Sequence, residues 1–122
     1  MTRTAEDLVA ALWHHIWIDP EVEPMNSLIA DPFVRHTRDG TEHTNPEEYS
    51  GHIAAVVAVV RGTDVRIDHI AVVDDHVYAR LTLQGVNLTV GDPVTVTWLA
   101  QYRIAADRIA ESWTMHQSDL DW

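Results

Sequence analysis

Among the histidines and carboxylates of this 122-residue sequence, His36, Glu111 and Asp119 stand where proton transfer is conceivable. An imidazole at His36, just after Phe33-Val34, could act as a base or a hydrogen-bond donor because it titrates near neutrality. The plain alternative is a histidine satisfied at a strand end. Glu111 and Trp113 share strand parity, so the expectation is that Trp113 fills the core while Glu111 pairs with an arginine such as Arg103. Buried without that partner, the Glu111 carboxyl would be pushed up in pKa and suited to proton transfer. Asp119, with Asp121 and Trp122, reads first as a surface tail.

Eight histidines raise the question of a metal. His36, His43, His52, His116 and Glu42 are conceivable ligands, but no His-Glu-x-x-His spacing occurs. The adjacent His14 and His15 would point about 100° apart on a helix and cannot easily share an ion. There is no cysteine, which removes disulfides, thiolate metal sites and a cysteine nucleophile. There is also no lysine, which removes Schiff-base chemistry and a lysine-anchored pyridoxal. Nucleophile elbows, phosphate loops and dinucleotide fingerprints are missing as well. No cofactor and no metal are expected.

The formal charge is −11, and the eight basic residues are all arginines. Phosphate binding depends on concentrated positive charge, so nucleic acid and anionic membrane are poor partners. No apolar run approaches the ~20 residues of a membrane span and no signal-like start is visible, which reads as a soluble, cytoplasmic protein. Asn87-Leu88-Thr89 matches a glycosylation triplet and is taken as chance.

The elements that must position these groups fall into two halves, and the length fits one domain, 1–122. Leu8, Val9, Leu12, Trp13 and Ile16 recur at helical spacing from Ala5 to Trp17, with Thr4 as N-cap. Pro24 opens a short helical turn carrying Met25, Leu28 and Ile29, and Asp31-Pro32 stops it before an extended Phe33–His36. A polar loop through Gly40 follows. Asn45-Pro46-Glu47-Glu48 combines an N-cap, a proline at the first helical position and an acidic third position. That helix is expected to reach about Val60, to end at Arg61-Gly62, and to lie packed inside the fold because Ile53 to Val60 carries no charge. Thereafter β-branched alternation predicts four strands: Val65–Val73, His76 to about Gly85, Val94–Ile104 and Arg108 to about His116, with turns at Asp74-Asp75, Gly91-Asp92-Pro93 and Asp107. Helices followed by a long meander mean an α+β fold, with a curved sheet wrapped around a helix and a pocket at its open end.

In element order and in several residues the chain resembles the SnoaL-like polyketide cyclase family of the NTF2-like superfamily. The matching pieces are Ala30-Asp31-Pro32-Phe33-Val34-Arg35-His36, the capped helix from Asn45, Leu83-Gln84-Gly85, and Tyr102-Arg103 followed by Arg108-Ile109-Ala110-Glu111-Ser112-Trp113. The resemblance implies an NTF2-like cone, a strongly curved antiparallel or mixed sheet around the N-terminal helices. It also implies a homodimer through the outer sheet face, and chemistry without metal or organic cofactor. His36 matches a polar position near the family pocket. The family's aldol cyclases place an aspartate four residues after the Trp113 position and a histidine two after Gly85; here those positions hold Gln117 and Asn87, and an amide cannot take a proton at neutral pH. Asp119, two residues beyond Gln117, could replace the aspartate through a bulge or shifted register.

These readings lead to a cofactor-free enzyme of secondary metabolism, a polyketide cyclase or isomerase acting by enclosure and proton transfer on a small apolar oxygenated molecule. Asn87 and Gln117 would polarise a carbonyl while His36 or Asp119 moves the proton. Trp13, Trp17, Tyr49, His52 and Trp113 would bind substrate, with core packing as the alternative for each, and Trp98 is assigned to a dimer face. Two other readings stand beside this one: an epoxide hydrolase or epoxide-opening cyclase using two pocket carboxylates, and a non-catalytic small-molecule binding domain.

Overall fold

The computed structural model describes residues 3–120. Helix α1 (Ala5–Trp17) and a single 3-10 turn (Met25–Ser27) precede β1 (Ile29–Thr37) and β2 (Gly40–Thr44). Helix α2 (Pro46–Val57) then leads into β3 (Val60–Val73), β4 (His76–Asn87), β5 (Pro93–Ala105) and β6 (Arg108–Ser118). The strands form one mixed sheet in the order β2-β1-β6-β5-β4-β3, in which β1 and β6 run parallel and the other neighbours antiparallel. This is the expected α+β arrangement of two helices with a curved sheet.

Both helices start where their caps predict. Thr4 accepts from the Asp7 N–H, and Asn45 accepts from the Glu48 N–H with Pro46 at the first helical position, so each satisfies an otherwise orphaned donor. The helix that fills the concave side of the sheet is α1, which buries Leu8, Val9, Leu12, Trp13, His15 and Ile16. Burial of each large apolar side chain among these stabilises the fold by roughly 1.5–3 kcal/mol. The expectation that α2 is the enclosed helix is therefore corrected. Only Tyr49 of α2 is buried, Ile53 packs partly against the core, and the uncharged residues after it are half-buried or exposed. A run without charge signals absence of a solvation requirement, not burial.

Three boundaries also differ from expectation. Helix α2 ends at Val57 and the chain enters β3 at Val60, so Arg61-Gly62 lies inside a strand. The polar loop through Gly40 leads into a strand, β2, and Asp31-Pro32 sits within β1 at a register shift between Ile29 and Val34 instead of ending a helix. The tight turns at Asp74 and at Ala106-Asp107 are as expected, with φ of 56°, 50° and 63°.

Curvature comes from bulges. The β3–β4 register shifts between Gly62 and Asp64 and again between Ile67 and Asp68's neighbour His69, leaving Thr63 and Asp68 as extra residues on β3. Each extra residue bends its strand and increases the local twist. The inward positions of β4 are Val77, Ala79, Leu81 and Leu83, all buried as the alternation predicts. Gly85 continues this face: a Cβ added there would sit 2.5 Å from the Arg61 carbonyl oxygen of β3, an atom of the backbone that cannot rotate away. Gly85→Ala is expected to cost about 1–3 kcal/mol, the usual range for overpacking. Urea denaturation measures it, and an unchanged midpoint would contradict the close approach.

Candidate functional site

The concave face of the sheet and the two helices enclose a cavity of about 740 Å³. Strand alternation decides which side chains reach it. On β1 these are Phe33, Arg35 and Thr37, on β5 Val96, Trp98 and Tyr102, and on β6 Ser112, Thr114, His116 and Ser118, with Met115 of the alternate face also at the rim. Helix α1 contributes Trp13 and Trp17 among others, and α2 contributes Tyr49, His52 and Ile53. Six of the wall residues are aromatic: Trp13, Trp17, Phe33, Tyr49, Trp98 and Tyr102. Trp98 meets Trp13 edge-on at 4.9 Å between ring centroids and Trp17 at 6.0 Å, while Phe33 meets Tyr49 edge-on at 5.2 Å. Such pairs hold rings in fixed orientations and present flat apolar surface to a guest.

Polar groups in the cavity fall into a buried set around Tyr102 and Ser112 and a charged set on the β1–β2 hairpin. The Trp13 indole N–H donates to the Tyr102 hydroxyl at 2.8 Å, joining α1 to β5. Burial, with the neighbouring Tyr49 adding to it, holds the Tyr102 phenol well above its ordinary pKa, so it stays protonated. Among the described residues that bond is the hydroxyl's only one, and in it the oxygen accepts. The Tyr102 proton is thus available to an acceptor inside the cavity. Ser112 lies opposite Tyr102 in the β5–β6 register and is itself buried, which sets a second hydroxyl beside the first. Arg35 places its guanidinium 4.9 Å above the Tyr49 ring and donates to Glu42 at 2.8 Å. Burial raises the Tyr49 pKa, and Arg35 only partly opposes this. His52 stacks on Tyr49 at 6.2 Å and His116 lies 5.7 Å from Trp98. The carboxylates in the wall, Asp39 and Glu42, both belong to the β1–β2 hairpin.

Of the residues singled out in the sequence, Trp13, Trp17, Tyr49 and His52 line this cavity, and His36, Asn87, Trp113, Gln117 and Asp119 do not. For Trp113 and Gln117 the reason is a bulge. Ile104 pairs with Ile109 but Arg103 pairs with Glu111, so Ala110 is an extra residue in β6. From there onward the even-numbered residues face inward, and Glu111, Trp113 and Gln117 are turned to the convex face. His116 and Ser118 occupy the inward positions on either side of Gln117. Asn87 instead organises the β4–β5 turn: its side-chain oxygen accepts from the Thr89 N–H and its own N–H donates to the Asp92 carbonyl. Asp119 is exposed beyond the end of β6, with φ of 63° and its N–H donating to the Thr95 carbonyl. Asp121 and Trp122 lie outside the described residues. Trp98, assigned above to a dimer face, is in the cavity. Arg35, Tyr102, Ser112 and His116 had drawn no cavity role. The only available signal was their place in alternating strands, and the Ala110 bulge hid it for β6.

His36 and Trp113 belong to a cluster on the convex face. Trp113 is stacked between His36, at 5.1 Å and 6°, and His76, at 5.8 Å and 27°. His36 Nε2 donates to Glu111 at 2.6 Å, which places the proton on that nitrogen because a carboxylate only accepts. Arg103 donates to the other Glu111 oxygen at 3.1 Å, as expected for this pair. The bond from His36, and then Arg103, hold the Glu111 carboxyl below the usual carboxylate range against the opposing effect of burial. Among the described residues no three of His, Asp and Glu come together to hold a metal ion.

A cone of this topology with an aromatic cavity defines the class of small proteins with a ketosteroid isomerase-like fold. The chain belongs to the SnoaL-like domain family, whose sequence pattern matches residues 5–112. No curated protein sequence matches it. Among solved structures it is similar to wild-type IdmH of Streptomyces antibioticus, proposed to be a polyketide cyclase: 22% identity, TM-score 0.78, covering 96% of this chain and 93% of that one. A SnoaL-like polyketide cyclase of Agrobacterium tumefaciens matches at 12% identity and TM-score 0.76, covering 95% and 93%. A protein of Catenulispora acidiphila with the ketosteroid isomerase-like fold, in complex with trimethylamine, matches at 21% and 0.75, covering 92% and 86%. At these identities the likenesses show the fold, which is NTF2-like.

The Glu111 cluster carries a pH signature. A carboxyl with lowered folded-state pKa stabilises the fold above its unfolded pKa, and this contribution is lost as pH falls through the folded one. Glu111→Gln should therefore lower stability by about 1–2 kcal/mol at pH 7, with the difference from the parent shrinking toward zero as pH drops below the usual carboxylate range. Thermal melts across pH measure this; a difference that stays constant down to low pH would contradict it.

Proposed function

We propose that the chain is a cofactor-free enzyme of secondary metabolism that encloses a small, flat, oxygenated molecule and promotes cyclisation or isomerisation by proton transfer. The observation that carries this reading is the Tyr102 hydroxyl: protonated, fixed by Trp13, and with its own proton unclaimed in an aromatic cavity. A substrate carbonyl there would accept from Tyr102, and the bond that Tyr102 itself receives from Trp13 strengthens its donation. As a proton leaves the carbon next to that carbonyl, negative charge grows on the oxygen and the same hydroxyl stabilises it. His116, beside Trp98, is the group proposed to take the proton, with His52 across the cavity as the alternative carrier. The enolate carbon then either attacks a second carbonyl of the enclosed chain, closing a ring as the new alkoxide takes the proton back from the imidazolium, or, where the enolate is conjugated with a double bond, the imidazolium returns the proton at the far carbon. The proposed ligand is a polyketide-like molecule and the proposed location is the cytoplasm.

A non-catalytic binding domain is the second reading. It is favoured by wall carboxylates confined to the β1–β2 hairpin, away from Tyr102. Native mass spectrometry with a panel of aromatic poly-ketones, followed by product analysis, separates the two. The enzyme reading expects binding with conversion, and Tyr102→Phe then lowers turnover by about 10²–10³ at little cost in affinity. Binding without product by the parent protein would favour the binder.

The proposed homodimer would use the convex face, where Tyr78, Leu99 and Met115 are 43%, 53% and 74% exposed. Leu99 and Met115 are directly paired across β5 and β6, so the apolar surface is continuous. Leu99→Arg should convert a dimer to monomer in light scattering, and a parent protein that already runs as a monomer would remove the proposal.

A further inference from the structure

The ligand cavity has a neighbour. A second cavity of about 450 Å³ lies between the end of α1, α2 and the start of β3, with Met25, Ala54 and Val57 among its apolar walls. Its polar lining is limited to His15, Ser50 and Arg61, so it suits a hydrocarbon segment better than a second polar head. Ile16, Trp17 and Ile53 belong to the walls of both cavities. The partition between them is therefore made of side chains from two helices, and the Trp17 indole is the largest of the three.

Trp17 is held in place from two sides. Its ring tilts against Trp98 at 6.0 Å and 51°. Its backbone is gripped by β3: a Cβ added at Gly62 would lie 2.9 Å from the Trp17 carbonyl oxygen and 3.0 Å from the Trp17 Cβ. With the end of α1 fixed by this contact, the size of the side chain at position 17 decides whether the two cavities communicate.

We infer that Trp17 is a specificity-determining residue: its indole closes the ligand cavity toward the second one, so the protein takes compact aromatic molecules and rejects those bearing a long alkyl chain. Removing the indole joins the two spaces and admits the chain. This rests on the reading of the first cavity as a small-molecule site, and the test reads binding alone, so that it does not depend on catalysis.

The experiment is calorimetric titration with β-naphthols bearing unbranched alkyl chains of increasing length. For the parent protein, affinity should fall beyond a limiting chain length. In Trp17→Ala the limit should move to longer chains, with binding tightening by about fourfold for each methylene newly buried. Adding Val57→Phe, which fills the second cavity, should return the limit to that of the parent. Trp17→Leu, a milder truncation, carries the same expectation if the alanine variant does not fold, as judged by cooperative melting. An unchanged limit in a folded truncation variant overturns the inference, as does a shifted limit that survives Val57→Phe. Failure of every naphthol to bind the parent protein removes the small-molecule reading of the first cavity and this inference with it.

Discussion

The bond from the Trp13 indole to the Tyr102 hydroxyl ties the first helix to the fifth strand, 89 residues later, inside the cavity they share. An indole N–H and a phenol taken out of water each cost energy unless they find partners, and here each is the other's partner. The bond fixes the angle at which α1 enters the concave face, and that angle sets how Trp13, Trp17 and Trp98 meet. It also leaves one donor unspent, the Tyr102 proton, on a residue that is itself buried. Structural need and chemical capacity thus meet in one contact.

Around that contact the sheet keeps its two faces distinct. The concave face carries aromatic rings, the Tyr102 and Ser112 hydroxyls and, at the β1–β2 hairpin, the Arg35–Glu42 pair; the convex face carries the Glu111 ion-pair cluster, the stacked imidazoles and an exposed apolar strip. The Ala110 bulge maintains this division along β6, because one extra residue moves every later side chain to the other face. Without it Trp113 would enter the cavity and Ser112 and His116 would leave. The chemistry of the site therefore depends on a backbone irregularity as much as on side-chain identity.

Much of the architecture was legible in the sequence for local reasons. Thr4 and Asn45 are caps whose hydrogen bonds lie within a single turn, and Asp74-Asp75 and Asp107 mark turns that the strands on either side must obey. The alternation of β4 named its inward residues because β4 is regular along Val77 to Leu83. The family resemblance named the fold, and the pattern across residues 5–112 agrees. What could not be read depends on contacts distant in sequence. The uncharged stretch from Ile53 suits a buried helix equally well as a partly exposed one, and only the α1 packing decides. Trp113 looks like a core residue until its imidazole neighbours, His36 and His76, are known to come from β1 and β4. Counting four residues from Trp113 to Gln117 assumes a face that the bulge has already reversed.

The central claim is that a guest enters the concave side, against the tryptophans of α1 and β5, and leaves the convex cluster untouched. The most direct measurement follows the indole N–H signals of the individual tryptophans by heteronuclear NMR, assigned by single substitution, during titration with a flat hydroxy-quinone. The account predicts saturable shifts for Trp13, Trp17 and Trp98 and none for Trp113. Shifts at Trp113 with the other three silent would contradict it.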